Sequence, residues 1–314
     1  MLRYAGIRLI LFIPLLIGLS LVVFFYLHLI PGDPVAGMLR YEGNPEIIAK
    51  IRHEFGLDRP VYIQYIDWFS KVLRGDLGVT FRARYPIAPL LMARIPATLE
   101  LALGALVVAV LMALPAGIIA GLNKNSRFDY IFSLFSLMGY STPVFWSGYI
   151  LVLLLSVWLH VLPSQGYVPF NEDPWRNLQY LLMPAFTLGI ALAPYVARMT
   201  RTAIIETMQE FFVSYARAKG LKRRIIFWRY ILRHSIISIL VVLGLDIGYL
   251  LSGQILVEEL FNWPGVGRLI IRGVLERDYF VVQATILIYA GLFLLINLAV
   301  ELLHGWLDPR VQLQ

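Results

Sequence analysis

Long apolar runs separated by shorter polar stretches set the pattern along this chain. A helix needs about 20 predominantly apolar residues to cross about 30 Å of hydrocarbon. Six segments meet that requirement, at 9–30, 99–122, 130–159, 180–197, 236–257 and 281–303. The pattern therefore predicts an all-α polytopic membrane protein with six transmembrane helices. The third segment contains Ser141-Thr142-Pro143. Proline removes a backbone donor and bends a helix, so a kinked or tilted span is expected there. The fourth carries Pro184 and Pro194, which blur its ends. The first follows Arg3 and Arg8, as a signal peptide would. It is too long for a signal core and runs into His28-Leu29-Ile30-Pro31-Gly32-Asp33-Pro34 with no small-residue cleavage site, so it is read as a retained span.

Composition agrees with lipid as the main solvent. Hydrophobic residues make up 59% of the chain and charged residues 15%, against about 25% charged in soluble domains. The apolar segments are spread along the whole sequence and no linker or internal repeat stands out. One domain over 1–314 is expected, with a structured outer segment at 31–97 and a cytoplasmic loop at 198–235. The chain has no cysteine, which removes disulfides and thiolate chemistry.

Charge orients the spans. Residues 198–235 hold nine Lys and Arg against Glu206 and Glu210, a net of +7 that equals the net charge of the whole protein. Short basic loops stay in the cytoplasm. This puts the loop, the stretch from Lys124 to Arg127, the N-terminus and, with six spans, the C-terminus on the cytoplasmic side.

The outer segment carries helix signals. Asn44-Pro45-Glu46 offers a cap, a first-turn proline and an acid, and Gly56 offers a stop after Phe55. A second helix over 60–73 places Tyr62, Tyr65, Ile66, Phe69 and Leu73 on one apolar face. These helices are either a cap on the bundle mouth or a docking surface for an external partner. Beyond the fifth segment, Phe261 and Trp263 suit a membrane interface, and Pro264-Gly265 forces a turn. A short amphipathic helix should follow, with Leu269, Ile270, Val274 and Leu275 on one face and Arg268, Arg272 and Glu276 on the other. This helix is either a seal at the outer end of a pathway, with Trp263, Pro264 and Gly265 as candidates for the gate, or simply an interfacial helix.

In the basic loop, Ile204, Ile205, Met208, Phe211, Phe212 and Tyr215 recur at three- and four-residue steps. The helix they predict meets Gly220, a natural stop. A second helix over 222–233 places Ile225, Trp228 and Leu232 along one side. A helix–Gly–helix elbow of this kind suits either a groove on a partner protein or an anionic lipid surface. So short a loop tied to the membrane argues against a DNA reader.

Tyr215-Ala216-Arg217-Ala218-Lys219-Gly220-Leu221, then Trp228-Arg229 and Leu232-Arg233, resemble the coupling loop of ABC-importer permeases. The likeness spans nearly the whole chain and is greatest to the first permease subunit of the peptide/nickel/glutathione family. In order come Pro31-Gly32-Asp33-Pro34, Gly56-Leu57-Asp58-Arg59-Pro60, Gly75-Asp76-Leu77-Gly78 and Pro96-Ala97-Thr98-Leu99-Glu100. Leu162-Pro163 with Gly166, Phe261 with Trp263-Pro264-Gly265-Val266-Gly267, Arg277-Asp278-Tyr279 and Asp308-Pro309-Arg310 complete the series. Relatives often carry proline at Ser238 and Phe280 and asparagine at His234, and Ser214 replaces the glutamate of the general coupling motif. The resemblance implies a type I ABC importer permease in a bacterial inner membrane. It also implies a second homologous permease, two cytoplasmic ATPases and an extracytoplasmic binding protein. Its cargo stays open among dipeptides, oligopeptides, glutathione and nickel.

No Gly-x-x-x-x-Gly-Lys-Ser/Thr loop occurs in the sequence, so ATP and Mg are expected on the partner subunits and no cofactor on this chain. No catalytic constellation, metal-ligand spacing or nucleic-acid partner is indicated. Asp246 sits near the middle of the fifth segment. A mid-span Asp costs roughly 2.5–3.5 kcal/mol on insertion scales and should face protein or water. It is either a structural hydrogen-bonding group or a pathway carboxylate, with Ser252 and Gln254 as companions. The alternative function is a proton-coupled secondary transporter with Asp246 as the proton carrier.

Overall fold

The computed structural model describes residues 2–29, 45–81 and 83–307. Pro31-Gly32-Asp33-Pro34, Asn44 and Asp308-Pro309-Arg310 lie outside the described residues. Regular structure among the described residues is helical, apart from one bridge between Val79 and Pro86. The helices are α1 (Leu2–Leu29), α2 (Pro45–Glu54), α3 (Val61–Leu73), α4 (Ile87–Met92), α5 (Ile95–Leu122) and α6 (Arg127–Ser141). Helix α7 (Val144–Leu151) is prolonged by the π-helical stretch Val152–Trp158, and α8 is Pro174–Gln209. The short α9 (Phe211–Ala218) follows. Helix α10 joins Arg223–Ile225, the π-helical Ile226–Ile231 and Leu232–Leu260 without a break. The chain ends with α11 (Val266–Leu275) and α12 (Tyr279–Leu307).

Among the described residues all six apolar segments lie on helices, the third with a break at Thr142-Pro143. Gly6–Leu29, Ile87–Leu122, Pro174–Gln209 and Tyr279–Leu302 are each long and apolar enough to cross a membrane. Segment 236–257 lies inside the 29-residue stretch Leu232–Leu260. Outward-facing apolar residues such as Ile10, Ile13 and Val22 on α1 are exposed, as a lipid-facing surface requires. The third segment departs from a simple kink. Helices α6 and α7 meet at an angle of 100°. Pro143 cannot donate to the helix, Thr142 turns extended, and the Ser141 and Thr142 hydroxyls donate to Leu137 O and Met138 O at 3.0 and 2.8 Å. Those bonds take up carbonyls near the break, so it persists in an apolar setting.

The chain packs as two compact units. The larger comprises Met1–Ala5, Leu99–Trp263 and Leu295–Gln314. Its centre is α8, which packs on α6, α7 and α10. Asp173 starts α8 by accepting from Trp175 N at 3.1 Å and Arg176 N at 3.0 Å, with Pro174 in the first turn. At 36 residues α8 is about 54 Å long, longer than a bilayer core. Small residues let α5 approach it. Ala105, Ala109 and Ala113 are fully buried at four-residue spacing, and Gly117 and Gly121 continue the row. A Cβ on Gly117 would stand 2.4 Å from Ala197 O, and one on Gly121 2.9 Å from Ile204. Small residues every fourth position are how helices associate in lipid, where close packing replaces the hydrophobic drive. At one end of α6, Asp129 is buried and receives Arg201 of α8 through two bonds, Nε at 2.5 Å and Nη2 at 2.7 Å.

The smaller unit comprises Gly6–Thr98 and Pro264–Leu294. On α3 the buried face differs from the expected one. Tyr62, Ile66 and Leu73 are exposed, whereas Trp68 is buried and packs on Phe24 of α1 beside Tyr65. The Tyr65 hydroxyl also meets Ser20 Oγ at 2.9 Å. On α11 the inward face is Val266, Leu269 and Gly273, with Ile270 half-buried; Val274 and Leu275 are exposed. In both helices the expected stripe sat a fraction of a turn from the real one, because aliphatic residues also serve as the lipid-side surface. Leu77, Ile87, Leu91, Val266, Leu269 and Val281 form the unit's core. Asp278 ties it together: it accepts from Phe81 N at 2.7 Å and caps α12 through Val281 N at 3.2 Å. Thr98 Oγ1 likewise accepts from Val266 N at 2.8 Å.

Candidate functional site

The expected continuous stripe from Ile204 to Tyr215 is cut at Glu210. Its extended backbone (ψ 145) ends α8, and its carbonyl accepts from Val213 N and Ser214 N to begin α9. The cut rotates the second half of the stripe. Val213 and Ala216 turn inward against Ile204, Ile226 and Ile231, with Leu221 and Phe212 partly buried around them. Phe211 is 82% exposed and Tyr215 53%.

The end of α9 explains why Ala216, Gly220 and Leu221 recur at this spacing. Gly220 N donates to Arg217 O at 2.9 Å and Leu221 N to Ala216 O at 3.3 Å. Gly220 takes φ +74, a left-handed conformation costly for side-chain-bearing residues. This crossed pair is the Schellman arrangement, and Leu221 supplies its hydrophobic contact by packing in the same cluster as Ala216. Within the motif the buried Ala216 and half-buried Leu221 anchor the elbow, Gly220 turns it, and Tyr215, Arg217, Ala218 and Lys219 face outward.

The outward face is ordered by side-chain contacts. Phe211 and Tyr215 stack 6.5 Å apart, and Lys219 Nζ lies 4.6 Å from the Tyr215 ring centre. Such cation–π contacts contribute about 0.5–1 kcal/mol at exposed sites. Arg217 and Lys219 also sit where the α9 dipole favours positive charge. Beyond the turn, Arg223, Arg224, Trp228 and Arg229 are exposed, with Trp228 at 60%. Ile225, expected on the same side as Trp228, is exposed at 42%, while Leu232 is half-buried. Chemically the elbow offers bare aromatic rings framed by cations on a rigid apolar base. Such a surface is chemically suited to a protein groove with acidic edges or to anionic lipid.

The other candidate positions are dispersed. Asp246 and Ser252 lie on α10, but their side chains fall outside the described residues. Gln254 is fully buried. Trp263 is also fully buried, with Phe261 at 1% exposure, so this aromatic pair is core rather than interfacial. The physical reason is a second crossed turn. Trp263 N donates to Glu258 O at 2.8 Å and Asn262 N to Glu259 O at 3.3 Å, with Asn262 at φ +56. That turn throws the indole inward, where the Tyr167 ring meets it edge-on at 4.7 Å. Gly166 N donates to Phe261 O at 2.9 Å. Pro264 is half-buried and Gly265 buried.

Sequence reasoning missed what Glu100 does. Its carboxylate accepts from the Tyr167 hydroxyl at 3.2 Å and from Asn177 Nδ2, and Asn177 donates also to Val168 O at 2.8 Å. Burial, and then the Glu100 charge, push the Tyr167 phenol up to about 12, so it stays a donor. The signal was available as the ordered motifs around Glu100, Gly166 and Trp263, which this knot joins. Among the described residues no group of His, Cys, Asp and Glu is placed to hold a metal ion.

Comparison with known proteins follows the same lines. The family model for the binding-protein-dependent transport system inner membrane component matches residues 113–313, and its N-terminal counterpart matches residues 1–102. The dipeptide transport system permease protein DppB of Alkalihalophilus pseudofirmus is 35% identical, covering 99% of this chain and 100% of that protein. The di/tripeptide permease DppB of Pseudomonas aeruginosa is 38% identical over the full length of both. The glutathione transport system permease protein GsiC of Escherichia coli K12 is 36% identical over 99% of each. Two solved transporters share the fold. The inward-facing MetNI methionine ABC transporter matches with TM-score 0.57 at 16% identity, covering 70% of this chain and 96% of that one. An amino acid ABC transporter matches with TM-score 0.51 at 20% identity, covering 71% and 94%. With its apolar helices, its exposed basic elbow and both family models matched, this chain belongs to the binding-protein-dependent transport system inner membrane components and is a multi-pass permease.

Proposed function

We propose that this chain is the first permease subunit of an ATP-driven importer of small peptides, and that its elbow seats a cytoplasmic ATPase. The observation that carries the coupling role is the bare Phe211–Tyr215–Lys219 ladder beside Arg217, held on a buried base by the Gly220 turn. The peptide cargo rests on full-length likeness to permeases named for dipeptides, di/tripeptides and glutathione. A second homologous permease completes the pathway, two ATPases carry ATP and Mg, and an extracytoplasmic binding protein delivers the peptide. Both termini and the elbow lie in the cytoplasm, because the elbow's net charge of +7 obeys the positive-inside rule. Closure of the ATPases on ATP rocks the elbows and switches access across the membrane.

Family membership favours this importer over the proton-coupled carrier. Asp246 is then a pathway carboxylate at mid-span, with Ser252 and Gln254 further along the helix. The complete burial of Trp263 favours a fixed anchor over a moving outer gate. Reconstitution of the permease pair, ATPases and binding protein in vesicles tests the whole reading. Dipeptide uptake should require ATP and survive collapse of the proton gradient. Arg217→Glu should lower uptake at least tenfold with the complex still assembled. Uptake that ignores ATP and dies with the proton gradient contradicts the importer, and Asp246→Asn with unchanged uptake and substrate preference removes the pathway role.

A further inference from the structure

Between Glu210 and Asp246 the chain carries seven Lys and Arg and no acidic residue. Arg217 and Lys219 belong to the elbow, but Arg229 and Arg233 stand a turn apart on α10, where seating an ATPase gives them no task. Both are exposed, and neither makes an ion pair among the described residues. One side of this helix is held by the protein. Ile226, Ile231, Ser235 and Ile239 are buried. Ser235 Oγ donates to Ala203 O at 3.2 Å or to Thr207 Oγ1 at 2.9 Å, both on α8. With that side fixed, Ile225, Arg229, Arg233, Ile236 and Leu240 form an exposed stripe at three- and four-residue steps, and Trp228 is exposed beside it.

The stripe crosses from hydrocarbon to water. Ile236 and Leu240 belong to the apolar segment 236–257 and give it a lipid-facing side. At about 1.5 Å per residue, Arg233 lies about 4.5 Å beyond Ile236 and Arg229 about 10.5 Å. The headgroup layer adds about 5–7 Å to each side of the hydrocarbon, and arginine's long stem lets its charge snorkel into that layer. An indole such as that of Trp228 favours the same depth. Lys222 and Arg223 lie about 20 Å along the helix from Ile236, more than a Debye length of about 8 Å from the headgroups. Guanidinium groups meet phosphate oxygens bidentately. We propose that Arg229 and Arg233, with Trp228 beside them, form a site for the phosphate of an anionic phospholipid headgroup. The stripe continues unbroken into hydrocarbon, where a soluble ATPase cannot follow, and the bare α9 ladder already offers that partner a surface. Two cations anchored among headgroups hold α10 at a fixed depth while the elbow moves. The cytoplasmic leaflet follows from the orientation proposed above; the site itself follows from the stripe.

Site-specific photocrosslinking of the complete transporter tests this, with Trp228→benzoylphenylalanine as the probe. The nanodiscs hold equal phosphatidylglycerol and phosphatidylcholine with matched chains, and mass spectrometry counts the adducts. We expect phosphatidylglycerol adducts to exceed phosphatidylcholine adducts at least fivefold. The double variant Arg229→Gln/Arg233→Gln should bring that ratio to within twofold of one. Lys222→Gln/Arg223→Gln removes the same charge further from the bilayer and should leave the ratio unchanged. All four side chains are exposed, so the variants test the site rather than the fold. A ratio near one in the unaltered stripe, an equal fall in both double variants, or adducts mainly to protein subunits overturns the proposal. The measurement needs no uptake, so a permease that imports nothing still reports on the site, and loss of the site leaves the importer reading standing.

Discussion

The elbow after α9 and the turn after α10 are built from the same backbone device and end in opposite surroundings. Each closes its helix with crossed hydrogen bonds around a left-handed residue, Gly220 in one and Asn262 in the other. At the elbow the residue after the turn, Leu221, tucks in while Tyr215 and Lys219 stay bare. At the other turn the residue after it, Trp263, is swallowed whole and closed over by Tyr167. One turn leaves its side chains bare and the other locks a core. The difference lies in what each helix packs against, which a local motif does not encode.

Substitutions can break that contrast. The largest expected effect is from Trp263→Ala, which empties a fully buried site. It should cost about 3–5 kcal/mol, read as a large drop in the unfolding midpoint in detergent. Tyr215→Ala should leave that midpoint nearly unmoved and lower ATP-driven uptake severalfold. If both variants lose stability alike, the elbow is core and the contrast fails. Next comes Asp129→Asn, which leaves Arg201 facing a neutral amide. Removing one partner of a buried pair costs 3–5 kcal/mol, and because Arg201 is 24% exposed the loss should be about 3 kcal/mol in denaturant titration.

Smaller effects sharpen the turns themselves. Gly220→Ala should cost about 1 kcal/mol from the left-handed backbone and weaken coupling by tilting Lys219 off Tyr215. Arg277 occupies the same position at φ +57 after α11, with Arg277 N on Val274 O and Asp278 N on Gly273 O. Arg277→Gly should therefore stabilise by about 0.5 kcal/mol; a loss of stability would show that the arginine side chain matters more than its backbone. Asp278 gives a pH signature. Burial outweighs its backbone hydrogen bonds and raises its carboxyl above the ordinary 3.8. A raised carboxyl contributes stability that is full below the unfolded value and lost as pH rises through the folded one. Stability should therefore decline as pH rises above about 4, and Asp278→Asn should flatten that part of the curve.

The long helices were legible because lipid demands unbroken apolar runs and internal backbone hydrogen bonding. Gly56 and Gly220 were legible as stops, since glycine bears the left-handed conformation most easily. Arg277 was not, because arginine does not favour that conformation, and Asn262, which bears it better than most residues, was passed over beside the stronger turn signal of Pro264-Gly265. The α5 row of Ala105, Ala109, Ala113, Gly117 and Gly121 was written in the sequence and passed unread, its small residues scattered among large ones on the faces turned to lipid. The faces of α3 and α11 were misplaced for a related reason. In a membrane protein apolarity does not separate inside from outside.

The sequence by itself determined the apolar segments, the concentration of positive charge in one loop, the stop at Gly220 and the ordered motifs of a binding-protein-dependent permease. Those features follow from local chemistry and composition. Only the tertiary structure decided that Glu210 splits the stripe, that Ala216 and Leu221 anchor while Tyr215 and Lys219 face out, and that Trp263 is buried. It alone joined Glu100 to Tyr167 and Asn177. Each of these depends on which remote surface comes within van der Waals or hydrogen-bonding reach.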